Sequence, residues 1–358
     1  AGMSKHADKP ALLMLENKGG ARAFRQHVLA EVPTYKAQLV DIDGDGDQDI
    51  ASAHSWTDAP VRVFENRRAP RSLDAWKRHR IQAELPARAM FVDAADLDGD
   101  GDSDVVAGGY WYVNPGQARG DWEARALPAP LGQTALVRDL DGDGYIDVLA
   151  TQGKGSASNR SFAWAKGDGT GGFTAYTNIE ASGWGDFLQG RELVKAAGGL
   201  TVVLSWHDRG KGLTGLRLPA RPTEETWTAS VFSDRSLAED LAAGDIDGDG
   251  DMDLLLGTEW LELGGAAPVP HVLDRIRDLA PTRNAPGGVP ASDRCSLADI
   301  NGDGRLDAVV GFEGATDLLW YSAPEDPTEP WIRHRIAQVP GEVYSMHTAD
   351  MLSLIHIS

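Results

Sequence analysis

The chain is short of the residues and patterns that mark the commonest enzymes and membrane proteins. Cysteine occurs once, at Cys295, in 358 residues. No intrachain disulfide is possible, and a paired-cysteine metal site is excluded. Cys295 falls in an alternating run and is expected in the core. No apolar run approaches the ~20 residues that span a bilayer as a helix. His-Glu-x-x-His, Gly-x-Ser-x-Gly and Walker-type phosphate loops are all missing, which removes the familiar metalloprotease, hydrolase and nucleotide-binding signatures. Few stretches carry the 3.6-residue period of a helix, so a nearly all-β chain is expected. Positive charge is scarce. There are 34 Lys and Arg against 54 Asp and Glu, a net charge of −20. Nucleic acid selects a basic footprint, so it is not an expected partner.

What the chain has is aspartate, set in one recurring nine-residue phrase. Asp-x-Asp-Gly-Asp-Gly-x-x-Asp begins at Asp41, Asp96, Asp139 and Asp245 and, with one substitution, at Asp299. The first, second and fourth copies hold five aspartates each, the third four and the fifth three, together more than the whole net charge. Carboxylates at positions 1, 3, 5 and 9, with glycines that let the backbone curl, form an oxygen-only set for a hard cation with many ligands. The expected ligand is Ca²⁺, at about five sites. The side-chain sets are Asp41, Asp43, Asp45, Asp49; Asp96, Asp98, Asp100, Asp104; Asp139, Asp141, Asp143, Asp147; Asp245, Asp247, Asp249, Asp253; and Asp299, Asn301, Asp303, Asp307. Position 7 supplies a backbone carbonyl, from Asp47, Asp102, Tyr145, Asp251 and Arg305. Asn301 removes one charge from the fifth set and should weaken it. An EF-hand would need Glu at position 12, where this chain has Ser52, Ala107, Ala150, Leu256 and Val310.

The phrase also measures the fold. Its copies begin 55, 43, 106 and 54 residues apart, and recurrence at such a period signals a repeat architecture. The doubled interval implies a repeat without its acidic loop, placed at Leu193–Trp206, where Gly198-Gly199 can turn a hairpin without metal. Each repeat reads alike. An alternating run enters the loop (Ala87–Val92, Thr134–Val137, Ser236–Ala242), and an apolar run such as Asp104-Val105-Val106-Ala107-Gly108 leaves it. An aromatic strand follows (Val61–Asn66, Tyr110–Pro115, Asp317–Tyr321), then a fourth strand with the pairs Phe24/His27, Trp76/His79 and Trp331/His334. Four short strands per ~40–55 residues is the pattern of a β-propeller blade. The three histidines recur at one repeat position, which points to a structural role.

Over nearly its whole length the chain resembles the FG-GAP/VCBS repeats, the calcium-loop propeller repeats of integrin α-subunit heads and of many bacterial secreted proteins. The resemblance rests on Asp-(Ile/Leu)-Asp-Gly-Asp-Gly-Asp-x-Asp followed by a Val/Leu run. It implies a β-propeller of four-stranded blades, most simply seven, with eight as the alternative, and an acidic loop joining the first and second strands of a blade. It also implies that the loops after the second strands open on the opposite face. There lie His54, Trp56, Tyr110, Trp206, His207, Glu259, Trp260 and Glu313, a mix of rings and carboxylates suited to sugars. Two functions follow. One is an extracellular module that binds protein or glycan, favoured because catalytic signatures are missing. The other is a carbohydrate-active enzyme similar to polysaccharide lyases or a sugar dehydratase, with His54, His207 or Tyr110 abstracting a proton. Low-affinity calcium modules suit millimolar calcium outside the cytoplasm, so a secreted, periplasmic or cell-surface location is expected.

Both ends read as cut. Ala1-Gly2 matches Ala107-Gly108, the end of a second strand, and His347–Met351 reads as the approach to a further acidic loop at Asp350. Residues 1–351 are therefore expected to be propeller with incomplete first and last blades. Residues 352–358 match a tail encoded by a sequencing-library adapter and are expected to be non-native.

Overall fold

The structure, a computed structural model, describes residues 11–351 apart from 21–22, 33, 35, 54–59, 68–75, 82–88, 154–160, 181–184, 186, 208–210, 236–238 and 283–284. Among these residues the regular structure is β, with one three-residue 3₁₀ turn at Pro286–Gly288. Six antiparallel sheets of four strands form in sequence order. The first blade is β3 (Lys36–Val40), β4 (Asp49–Ala53), β5 (Arg62–Asn66) and β6 (Trp76–Arg80). The second is β7 (Val92–Ala95), β8 (Asp104–Ala107), β9 (Tyr110–Val113) and β10 (Glu123–Ala126). The third is β11 (Gln133–Arg138), β12 (Asp147–Thr151), β13 (Phe162–Gly167) and β14 (Phe173–Tyr176). The fourth is β15 (Leu188–Ala196), β16 (Gly199–Trp206), β17 (Leu213–Arg217) and β18 (Thr228–Ser233). The fifth is β19 (Ala242–Gly244), β20 (Asp253–Leu255), β21 (Glu259–Glu262) and β22 (Val269–Val272). The sixth is β23 (Ala291–Ala298), β24 (Asp307–Glu313), β25 (Asp317–Ser322) and β26 (Ile332–Gln338). These are the four-stranded blades of a β-propeller.

Among the described residues six blades are four-stranded, where seven, or alternatively eight, were expected. The remaining sheet pairs only β1 (Leu12–Asn17) with β2 (Phe24–Ala30). It corresponds to the third and fourth strands of a blade, and the described residues supply it no first and second strand.

The chain divides into two compact units. One holds residues 34–187, 219–228 and 349–358, with the first three blades. Its core is two apolar layers between neighbouring sheets. Ala51, Val63, Val92, Val105 and Tyr112 fill the first, and Val106, Trp111, Val137, Val148 and Ala163 the second. The other unit holds residues 1–33, 188–218 and 229–348. There Val203, Leu213, Leu254 and Leu261 pack between the fourth and fifth blades, and Leu255, Trp260, Cys295, Val310 and Tyr321 between the fifth and sixth. Leu13, Val309, Leu318 and Met346 fill the layer beside β1. Strands buried on both faces explain the near-continuous Val/Leu runs of β8, β12, β20 and β24.

The fourth blade folds without an acidic loop, as its sequence implies. Ala196 pairs with Gly199, so Ala197-Gly198 makes the turn rather than Gly198-Gly199. Both glycines still hold positive φ, 98° and 127°, which other residues adopt at a cost. Cys295 is buried in the core as expected.

Candidate metal centres

All five acidic phrases are the hairpin loops between the first and second strands of their blades: β3–β4, β7–β8, β11–β12, β19–β20 and β23–β24. Each closes on itself through the same hydrogen bonds. The position-1 carboxylate accepts from the glycine amides at positions 4 and 6, at 2.9 and 2.9 Å in the first loop and 2.7 and 3.0 Å in the second. The other three repeat this closure. The two glycines take positive φ in every loop, for example 71° and 86° at Gly44 and Gly46. A side chain there would strain the curl, which is why Gly stands at both positions.

The position-9 aspartate anchors each loop to its sheet. Asp49, Asp104, Asp147, Asp253 and Asp307 are fully buried. One oxygen accepts from the amide at position 2 (Ile42, Leu97, Leu140, Ile246, Ile300). The other accepts from a third-strand or adjoining amide (Asn66, Asn114, Gly167, Leu263, Ala323). Burial pushes these carboxyls up, to about 7 at Asp49 and Asp104 and to about 6 at Asp147, Asp253 and Asp307, despite the amide donors. A buried carboxylate of this kind calls for a counter-charge.

The position-2 residue does a second job. Ile42, Leu97 and Ile246 insert into the apolar layers beside their blades, and Ile300 packs against the layer beside β1. The acidic loop is thereby fixed to the core by the unspecified letter of its own motif.

Carboxylate oxygens converge in four loops. One oxygen from each of Asp41, Asp43 and Asp45 lie within 4.8 Å of one another, as do those of Asp96, Asp98 and Asp104, of Asp139, Asp141 and Asp147, and of Asp245, Asp247 and Asp253. Burial first, and neighbouring loop aspartates next, raise Asp43 and Asp98 above the ordinary carboxylate range. Asp247 is likewise raised, chiefly by burial. In the first, second and fourth loops a buried oxygen of Asp43, Asp98 and Asp251 has no hydrogen-bond partner. Convergent, mutually repelling oxygens with unused lone pairs fit a hard divalent cation.

The residues around the loops differ. The third-strand residue just before the anchoring amide is Glu65, Val113, Lys166, Glu262 and Ser322 in turn. Glu65 meets His79, and Glu262 meets His271 at 2.8 Å. Lys166 donates to both Asp141 and Asp143, and its hydrogen bond is the main cause holding Asp143 below its usual value. In the fifth loop Arg305 pairs with Asp303. The recurring fourth-strand histidines are engaged within their own blades. His27 meets Glu16 at 3.0 Å, and His334 stacks on Trp320 with ring centroids 4.2 Å apart. The sequence motif singled out the loop aspartates but not Glu65, Lys166, Glu262 and His271 beside them. The alternation of the third strand, counted back from the position-9 contact, is the signal that locates them.

At the other end of each blade the residues of the expected ligand face differ in exposure. His54 and Trp56 lie outside the described residues. Trp206 is 1 % exposed and donates from Nε1 to Thr214 Oγ1 at 3.0 Å. Trp260 is 0 % exposed and stacks on His271. Neither ring is presented to solvent, because both are taken up by packing between and within blades. Tyr110 is 37 % exposed at the start of β9, and Glu313 is partly buried at the end of β24. Glu259 is buried, 3.6 Å from Arg235.

His207 belongs to a charge cluster that the sequence did not announce. Its Nδ1 meets Glu239. The other Glu239 oxygen lies 3.1 Å from Arg294, a wholly buried guanidinium that also donates to the Tyr344 carbonyl at 2.8 Å and to Gln189 at 3.4 Å. Asp293 lies 3.5 Å from the same guanidinium. Gln189 and Asp293 both fall at β-bulges, where β15 and β23 shift register. A bulge re-aims a side chain without any mark in the local sequence. Burial raises Glu239, yet the His207 hydrogen bond and the Arg294 charge hold it down to about 2. Burial pushes Asp293 well up. The Glu239 hydrogen bond raises His207 against the opposing effect of burial.

Residues 41–107 match the sequence model of the FG-GAP-like repeat. No curated protein matches the chain. Among solved structures, the chain is similar to the V. cholerae biofilm matrix protein Bap1, at 14 % identity and a TM-score of 0.37, over 90 % of this chain and 43 % of that one. It is similar to BBS1N, solved in complex with ARL6DN, at 10 % identity and a TM-score of 0.46, over 91 % and 86 %. It is similar to a Bacillus licheniformis rhamnogalacturonan lyase at 13 % identity and a TM-score of 0.34, over 94 % and 56 %. The chain thus spans less than two thirds of the Bap1 and lyase chains. Among the described residues no helix is long and apolar enough to cross a membrane.

Proposed function

Starting from an FG-GAP repeat β-propeller, we propose an extracellular module, stabilised by calcium, that binds protein or glycan through the loops opposite its acidic hairpins. The supporting observation is the convergence of loop carboxylates with unsatisfied buried oxygens at Asp43 and Asp98. Calcium would be held by the position 1, 3, 5 and 9 side chains and the position-7 carbonyl of a loop, and would supply fixed positive charge. The chain's own part is to hold those oxygens in place through the glycine amides and the buried position-9 anchor. Modules with such loops suit an environment rich in calcium, hence a secreted, periplasmic or surface location. The test is thermal melting with and without calcium. Anything that binds only the folded state stabilises it by mass action, so EDTA should lower Tm and calcium restore it. A melting curve indifferent to EDTA would overturn the structural role of calcium. On the ligand side, a glycan or protein captured by the native chain should be lost in Tyr110→Ala or in Glu313→Gln.

One observation favours a second reading, a carbohydrate-active enzyme of lyase or dehydratase type. The His207 side chain is 54 % exposed and is oriented through Nδ1 by the buried Glu239. That is how a general base is held ready. Turnover of a uronate-containing polysaccharide to an absorbing unsaturated product, abolished in His207→Ala, would establish it. No turnover on any such polymer returns the function to binding.

A further inference from the structure

The five loops share a motif but not an electrostatic setting, and the difference lies outside the nine residues. In the third loop the Lys166 ammonium bonds Asp141 and Asp143, the position-3 and position-5 carboxylates. In the fifth, Arg305 pairs with Asp303 at position 5, and Asn301 replaces a carboxylate at position 3 and donates to Asp303 at 2.9 Å. The first and fourth loops instead have Glu65 and Glu262 at the place of Lys166, Glu65 engaged by His79 and by Arg67 at 3.0 Å and Glu262 by His271 at 2.8 Å. The second has neutral Val113 at that place, and Arg125 stands 4.0 Å from Asp98. The orphaned buried oxygens follow the same division. They occur at position 3 of the first and second loops, Asp43 and Asp98, and at position 7 of the fourth, Asp251, and among the described residues none occurs in the third or fifth.

We propose that the third and fifth loops carry their own cation, Lys166 and Arg305, in place of calcium, so that calcium is confined to the loops at Asp41, Asp96 and Asp245. The proposal rests on the calcium reading above and sharpens it. A divalent ion entering the third loop would have to displace an ammonium from two of its ligands and then face that charge at short range. An ion entering the first or fourth loop meets four carboxylates. Ligand charge count sets the affinity of oxygen sites over several decades. The first, second and fourth loops are therefore expected to bind, with the third and fifth at least ~100-fold weaker. The sequence motif alone cannot draw this distinction, because the third copy keeps all four aspartate ligands. What separates it is one residue on β13, twenty-five positions beyond Asp141 in the chain.

The test is calcium stoichiometry of the full chain, by equilibrium dialysis and by calorimetry at millimolar calcium. The native chain should bind about three ions, and Lys166→Ala about four, since removal of the ammonium restores the full charge of an oxygen site. Lys166→Arg, which keeps the charge, should stay at the native value. Terbium gives an independent readout, because Tyr145 lies within the third loop and can sensitise a lanthanide bound there. Emission should rise in Lys166→Ala, and the rise should vanish when Tyr145→Phe is added. Without metal, Lys166→Ala should melt below the native chain, and calcium should raise its Tm more than it raises the native one. Five ions in the native chain, or no gain in Lys166→Ala by either readout, would overturn the proposal and leave the calcium reading standing. No calcium bound at any loop would overturn the calcium reading itself.

Discussion

At the scale of single residues, the chain places carboxyl groups where burial makes charge expensive and then gives them hydrogen-bond donors. The five position-9 aspartates are the plainest case, each enclosed and each taking two amide donors. The His207–Glu239–Arg294 cluster is a less regular one, and its pH behaviour follows from the shifts. His207 is raised in the folded state, so the stability it adds is complete below the ordinary histidine value, about 6.5. That contribution is lost as pH rises through its folded value. Glu239 is depressed to about 2, so its contribution is present above the ordinary glutamate value and lost as pH falls toward 2. Melting across pH 5–9 should therefore show His207→Gln closest to the native chain at the alkaline end and furthest below it at the acid end. A constant difference across that range would mean that the hydrogen bond carries no charge.

At the scale of elements, the hairpin loop is held by two unlike contacts, a buried carboxylate and an apolar side chain one position after its first aspartate. Ile246 is 4 % exposed and packs with Leu255, Trp260 and Val310. Ile246→Ala should cost about 2–5 kcal/mol, the usual range for a truncated core aliphatic, measured by urea unfolding in saturating calcium. It should also weaken calcium binding at its own loop, because the curl loses its fixed point. This level was largely legible in the sequence. Strand order, loop placement and the fourth hairpin without an acidic loop all follow from the period. The blade count did not follow, because β1 and β2 supply half a blade while the aspartate spacing counts loops. The ligand face did not follow either. An aromatic after a second strand reads the same whether it points outward or, like Trp206 and Trp260, is drawn into packing. The buried cluster was invisible because bulges at Gln189 and Asp293, and contacts between residues as distant as Arg294 and Tyr344, build it.

At the scale of the molecule, repeat architectures add up from units and their nearest neighbours, and here the joint between neighbours can be named. Asn114, just past β9 of the second blade, donates from Nδ2 to the carbonyl of Ile42 in the first blade's acidic loop at 2.7 Å. Asn17, at the same repeat position in β1, donates to the carbonyl of Ile300 in the sixth blade's loop at 2.8 Å. Each asparagine thus reads the backbone of a hairpin that is not its own. If a loop slackens when its ion leaves, the blade beyond it loses a bond that its own ion cannot replace. Amide exchange at Gly116 and Gln117, whose N–H groups rest on Asn114 at 3.1 and 3.2 Å, should quicken in Asp41→Ala even with the second loop saturated. Unchanged exchange there would show the two blades to be deaf to each other. Calcium held in such an array would act less like a rivet in one blade than like tension in a rope, felt one knot further along.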